Sequence, residues 1–200
     1  MKRRWARLKP GRKTASFRDR PGLSLVPSLP LSAVVTRHGG AVGICPCPGR
    51  KFPPALGALQ QQNLTKDLKA IQSFPAVALV TLMEMGELDW AGPSLGDLQA
   101  ACAALGLLHF YLPIEDEGIP DAHWERRWQT HGSELHAMLQ TGQNIFFHCR
   151  GGRGRAGLAV TRMLIEIGED PVLAMARVRA VRPGAIETAA QEEYLRSLAG

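Results

Sequence analysis

The chain is short of three things. Only 6% of its 200 residues are aromatic, its four cysteines (Cys45, Cys47, Cys102, Cys149) are few and unevenly spaced, and it has no long apolar run. Too few cysteines at irregular spacing exclude a disulfide scaffold and suit a reducing, cytoplasmic compartment. Without about 18 consecutive apolar residues there is no transmembrane span to predict. Internal repeats and low-complexity blocks are missing too. The 45% hydrophobic content still excludes a chain disordered throughout. Two hundred residues suffice for one domain with a sizeable core.

Negative charge is scarce in one place. Residues 1–20 hold nine of the 24 Lys and Arg against a single acid, Asp19, whereas the rest of the chain carries 15 bases against 17 acids. The net charge of +6 therefore belongs to a basic tail, residues 1–30, expected to be flexible, and residues 31–200 form the domain. A solvated arm or an over-long translation start is one reading of the tail. Contact with an anionic surface is another. No specific nucleic-acid partner is expected. Pro27 and Pro30 break the apolar stretch Leu23 to Val35, which argues against a secretory signal. An organelle transit peptide is the remaining reading of an Arg-rich, acid-poor start.

From about residue 32 short apolar runs alternate with helical patterns, which predicts an α/β domain with a central, parallel-rich sheet flanked by helices. The expected strands are 33–36, 41–45, 76–82, 107–112 and 144–148. The expected helices are 64–74, 95–105, 121–140, 155–168, 171–181 and 188–198. Ser94 followed by Asp97 reads as a capping box, and Asp170-Pro171 as N-cap and first helical residue. Trp124, Trp128, Leu135, Met138 and Leu139 form a helical stripe, read as core rather than as a cofactor box. The 155–168 segment is apolar nearly all round, so that helix belongs at the centre of the domain.

The chemistry is concentrated just before it. An apolar strand, Asn144-Ile145-Phe146-Phe147, runs into His148-Cys149-Arg150-Gly151-Gly152-Arg153-Gly154-Arg155 and then into the helix. Successive backbone N–H groups in such a loop, aided by the helix dipole, build an anion site. The loop lacks the Lys-Ser/Thr of a nucleotide-binding P-loop. It opens instead on a cysteine, whose thiolate the N–H donors and a guanidinium stabilise into a nucleophile. Arg155 offers a fork matched to two phosphate oxygens. A phosphoester with a poor leaving group also needs a proton donor, and Glu115, Asp116, Glu117 and Asp121 all stand in one strand-to-helix loop. Spacing alone does not choose among them. Cys45-x-Cys47 has no second ligand pair at zinc spacing and reads as structural. No metal or cofactor is expected.

His148-Cys149-x-x-Gly152-x-x-Arg155 resembles the active-site motif of the cysteine-based protein-tyrosine and dual-specificity phosphatases. Four further stretches resemble the kinase-associated phosphatase (cyclin-dependent kinase inhibitor 3) group. They are Pro48-Gly49-Arg50-Lys51-Phe52, Gly86-Glu87-Leu88, Pro113-Ile114-Glu115-Asp116 with Pro120-Asp121, and Gly184-Ala185-Ile186-Glu187-Thr188 with Gln191 and Tyr194-Leu195. The resemblance covers about residues 36–198 and implies the fold of those phosphatases. It also implies hydrolysis of phosphate monoesters through a phosphocysteine, with Cys149 as nucleophile, Asp116 as acid, and Arg155 with the loop from Arg150 to Gly154 as phosphate clamp. His148 would support the loop, and Gln191 would orient the hydrolytic water.

Two departures bear on activity. Ala156 stands where the family usually has Ser or Thr, whose hydroxyl stabilises the departing thiolate. Arg150 and Arg153 add cations at places where basic residues resemble phosphatases acting on phosphoinositides. Protein phosphotyrosine, with phosphoserine and phosphothreonine beside it, is the expected substrate. The alternatives are an inositol phosphate or phosphoinositide, and a weakly active or inactive phosphate-binding module.

Overall fold

The computed structural model describes residues 29–52 and 62–198. Residues 1–28 of the basic tail lie outside the described residues; Leu29, also assigned to the tail, is buried in the core. Five strands form one sheet: β1 (Ser32–Val35), β2 (Ala41–Pro46), β3 (Ala76–Thr81), β4 (Leu108–Tyr111) and β5 (Asn144–Cys149). Their order is β1-β2-β5-β3-β4, with every pairing parallel except β1 with β2. A connection of only five residues joins those two strands, too short for a parallel crossover. The sheet is thus parallel-rich, as expected.

The strands nearest the centre are the most apolar because both faces are covered. Every residue of β2 is buried, and in β5 only Asn144 is not. Helix α5 (Gly154–Glu166) packs on this pair, buried from Gly154 through Ile165. The other helices are α1 (Leu64–Ser73), α2 (Met85–Ala91), α3 (Leu95–Ala104), α4 (Ala122–Gln140), α6 (Pro171–Val181) and α7 (Ala189–Ser197).

The caps follow the sequence. Ser94 accepts from the Asp97 N–H, while its hydroxyl donates to the Asp97 carboxylate at 2.7 Å. Asp170 accepts from Val172 and Leu173 ahead of Pro171, and Asp121 caps α4 through the Trp124 N–H. Trp124 and Trp128 stack with ring centroids 4.8 Å apart, inside the core. Helix α2 was not foreseen. No helix of the described residues is long and apolar enough to cross a membrane.

Candidate active site

The loop from Cys149 to Arg155 leaves the carboxyl end of β5, the central strand, where an open parallel sheet places its binding crevice. Its carbonyls are tied down from outside. Arg150 O accepts from the Cys47 N–H, Gly151 O from Arg182 Nη2 at 2.9 Å, and Gly152 O from Arg182 Nε at 2.7 Å. A trans peptide points its N–H opposite its C=O. The amides of Gly151, Gly152 and Arg153 are therefore turned toward the inside of the loop. Gly152 has φ +64°, and a Cβ there would collide with the Cys45 backbone, so glycine is required twice over.

Gly154 is the first residue of α5. Its N–H donates to Glu187 Oε2 at 2.8 Å, so the structure supplies this cradle donor with a carboxylate of its own. Glu187 follows Ile186, a β-branched residue at φ +62°, and this left-handed turn brings the carboxylate to the loop.

Arg155 is 2% exposed, and a buried guanidinium needs partners. Glu87, from α2, meets it with both oxygens: Nη1 to Oε2 at 2.6 Å and Nη2 to Oε1 at 2.8 Å. Nη1 also donates to Ile114 O at 3.2 Å. Burial opposes the charge, but the hydrogen bonds Arg155 donates to Glu87 and the neighbouring anions outweigh it and raise the Arg155 pKa. Nη2 also lies 2.8 Å from Asp116 Oδ1, an ion pair. Glu87 is the partner that spacing missed, since the sequence offered it only as part of a resemblance. A buried arginine was itself the signal that a carboxylate must meet it.

Among the four clustered acids, Asp116 and Glu117 line the cavity, Asp121 is the helix cap, and Glu115 faces a separate hollow. Glu117 has φ +61°, and the loop is pinned through Gly118 O to Gln191 Nε2 at 3.0 Å. The other end of that amide, Gln191 Oε1, accepts from the Glu187 N–H at 3.0 Å. Gln191 is wholly buried and does not line the cavity. Both ends of its amide are thus held by backbone, and Glu187 lines the cavity.

His148 is buried, and its Nε2 lies 2.7 Å from Thr81 Oγ1, which in turn contacts His109 Nε2 at 2.8 Å. Burial first, and His109 second, lower the His148 pKa to about 3, while burial lowers His109 to about 4. Both rings are neutral near pH 7. Burial first, and neighbouring thiols second, raise the pKa values of Cys45 and Cys47, which pack under the loop. Among the described residues, no group of His, Cys, Asp or Glu is placed to hold a metal ion.

Cys149, Arg155, Asp116, Glu187 and the loop share one cavity of about 460 Å³. Arg50, Arg150, Arg153 and Arg182 also line it. Arg150 lies over the Trp90 ring at 5.2 Å and 4.0 Å from Asp116.

A cysteine loop leaving the central parallel strand, with its arginine clamped from a neighbouring helix, has the architecture of the DSP-PTPase class of phosphatase domain. The chain belongs to the family described as Swiss Army Knife protein, DSP-PTPase phosphatase domain (PTP-SAK), whose model matches residues 52–195. Among solved structures it is similar to kinase associated phosphatase carrying serine in place of its catalytic-site cysteine. That match has 25% identity and a TM-score of 0.71, over 86% of this chain and 94% of that one. It is also similar to Tk-PTP in its active form, with 25% identity and a TM-score of 0.60, over 84% and 96% of the two chains. PTPMT1 in complex with PI(5)P shares the fold at 18% identity and a TM-score of 0.58, over 79% and 89%. Comparison with curated protein sequences finds no match.

Proposed function

We propose that the protein hydrolyses phosphate monoesters by two displacements at Cys149. The observation that carries this reading is the clamped Arg155: two oxygens of Glu87 fix its plane, and it lines the same cavity as Cys149. In the free protein Asp116 Oδ1 sits 2.8 Å from Nη2, in the place an anion would take. A phosphate takes it over, and the displaced Asp116 is left beside the ester oxygen.

The Cys149 sulfur then forms a bond to phosphorus as the ester P–O bond breaks, and Asp116 passes a proton to the leaving oxygen. In the second step water adds to phosphorus, the S–P bond breaks, and Asp116 takes the water proton. Glu187 stands at the cavity edge to position that water, held by Gln191 through its own N–H. Arg155 and the amides of Gly151, Gly152 and Arg153 carry the phosphate charge throughout. His148 supports the loop from beneath through Thr81.

A specific observation favours the second substrate reading over protein phosphotyrosine. Beyond prolines, the cavity is lined by charged residues and the loop, and among the described residues no aromatic side chain is there to receive a phenyl ring. A polar, multiply charged phosphate ester fits such walls better. Turnover of a phosphotyrosine peptide, a phosphoserine peptide and inositol phosphates, measured in parallel on wild type and Cys149→Ser, tests the reading. Hydrolysis that survives in Cys149→Ser removes the cysteine from the mechanism.

A further inference from the structure

Five arginines line the cavity, and three of them lie against a carboxylate or an aromatic ring. Arg155 is held by Glu87, Arg150 lies over Trp90 near Asp116, and Arg50 lies over the Phe52 ring at 5.1 Å. Arg153 and Arg182 differ from these. Arg153 is the N-cap of α5 and Arg182 the C-cap of α6. Both line the cavity, and Arg153 runs beside the turn that follows α6, its Cδ 3.9 Å from where a Cβ on Gly184 would stand. Arg182 spends Nε and Nη2 on the loop carbonyls, and Nη1 remains. Among the described residues neither guanidinium has a carboxylate in salt-bridge reach. The nearby Glu187 is hydrogen-bonded to Gly154.

Two unneutralised guanidiniums lining one cavity repel one another. The effect registers on Arg182, whose pKa is lowered by burial first and by the charge of Arg153 second. A folded chain holds such a pair at a cost, and an anion between them removes it. The planar N–H edges match phosphate oxygens better than a single point charge does.

We propose that Arg153 and Arg182 form a second phosphate site in this cavity, which takes the second phosphate of a doubly phosphorylated polyol while the first lies over Cys149. The proposal rests on the phosphatase reading above. A cavity of about 460 Å³ lies within the size range of small-ligand sites. Both anion sites lie in that one cavity, whose charged walls suit a compact polyanion rather than an apolar peptide side chain. The shared chemistry is an inositol bisphosphate, free or as a lipid headgroup.

The test compares kcat/KM for inositol monophosphate and a panel of inositol bisphosphates. The same headgroups on short-chain diacyl lipids form a second arm, and singly and doubly phosphorylated peptides a third. Wild type is expected to prefer at least one bisphosphate over the monophosphate by about tenfold or more, the factor of one charge-assisted hydrogen bond. Arg153→Gln is expected to bring that ratio close to one, whereas Arg150→Gln, with the same loss of charge, keeps it. A preference in either the free or the lipid arm supports the site and names its source. Equal rates on mono- and bisphosphates, a ratio that survives Arg153→Gln, or a preference confined to doubly phosphorylated peptides overturns the proposal.

If no ester is hydrolysed, the phosphatase reading fails by itself. Calorimetric titration of Cys149→Ser with the same two inositol ligands then decides the second site. Tighter bisphosphate binding that is lost on adding Arg153→Gln supports it, and equal binding overturns it.

Discussion

Replacing Glu87 by glutamine isolates what holds the Arg155 guanidinium. The exchange preserves shape but removes the charge facing Arg155, where two hydrogen bonds of 2.6 and 2.8 Å join side chains 2% and 9% exposed. Breaking a buried ion pair by neutralising one partner costs about 3–5 kcal/mol, because the other charge stays buried without compensation. Here Asp116 at 2.8 Å offsets part of the loss, though it is 56% exposed and screened by water. The low end, about 3 kcal/mol, is therefore expected. For a domain of this size that lowers Tm by roughly 6–12 °C. Catalysis suffers separately, since a glutamine NH2 now abuts one guanidinium N–H and turns the fork from its plane. The assay is thermal unfolding and kcat/KM on one phosphate ester for wild type, Glu87→Gln, Arg155→Met and the double variant. Strong non-additivity is expected, with the double variant more stable than the sum of the single losses implies. Additive losses, or a Glu87→Gln protein that unfolds with wild type and hydrolyses at its rate, would refute the claim that Glu87 organises Arg155.

Asp116→Asn is expected to slow hydrolysis of phenyl phosphate by about 10²–10⁴, and far less for esters whose leaving group needs no proton; equal slowing of both denies Asp116 the acid role. Ala156→Ser is expected to speed breakdown of the phosphocysteine by up to about a hundred-fold, with little change in a pre-steady-state burst. A single-phase reaction indifferent to that change means another group already stabilises the departing sulfur. Acid stability follows from buried His148 and half-buried His109. An unfolded histidine titrates near 6.5, whereas His148 and His109 are lowered to about 3 and about 4 in the fold. Between those values the unfolded chain binds more protons. Their contribution is thus fully present above about pH 6.5 and falls as pH drops, by about 1.4 kcal/mol per unit for each ring. Urea unfolding at pH 7, 6 and 5 measures the slope, and His109→Gln should reduce it; a flat profile sinks the assignment.

Local signals carried most of the architecture. The alternation of apolar runs with capped helical patterns placed all five strands and six of the seven helices among the described residues within two residues of their ends. Helix α2 escaped because Met85-Gly-Glu-Leu-Asp-Trp-Ala shows no clear helical period; Glu87, Leu88 and Ala91 are buried only because a guanidinium and the core meet them. The cysteine loop was legible because its chemistry lies within seven consecutive residues. What the sequence hid depends on backbone turns and on neighbours distant in the chain. Gln191 and Glu187 are four residues apart, and only the left-handed turn at Ile186 puts the carboxylate on the cavity and the amide beneath it. Arg150 and Arg153 looked equivalent in the loop. A ring from α2 covers one, and the other shares the cavity with Arg182 from the end of α6.

The central claim is a covalent phosphoryl group on Cys149, and acid-quenched rapid mixing with an aryl phosphate, followed by peptide mass spectrometry, tests it most directly. A phosphorylated peptide containing Cys149 should appear within the burst, approach one per active site, and be missing from Cys149→Ser. Turnover with no phosphopeptide at Cys149, or phosphorylation at another residue, would contradict the account.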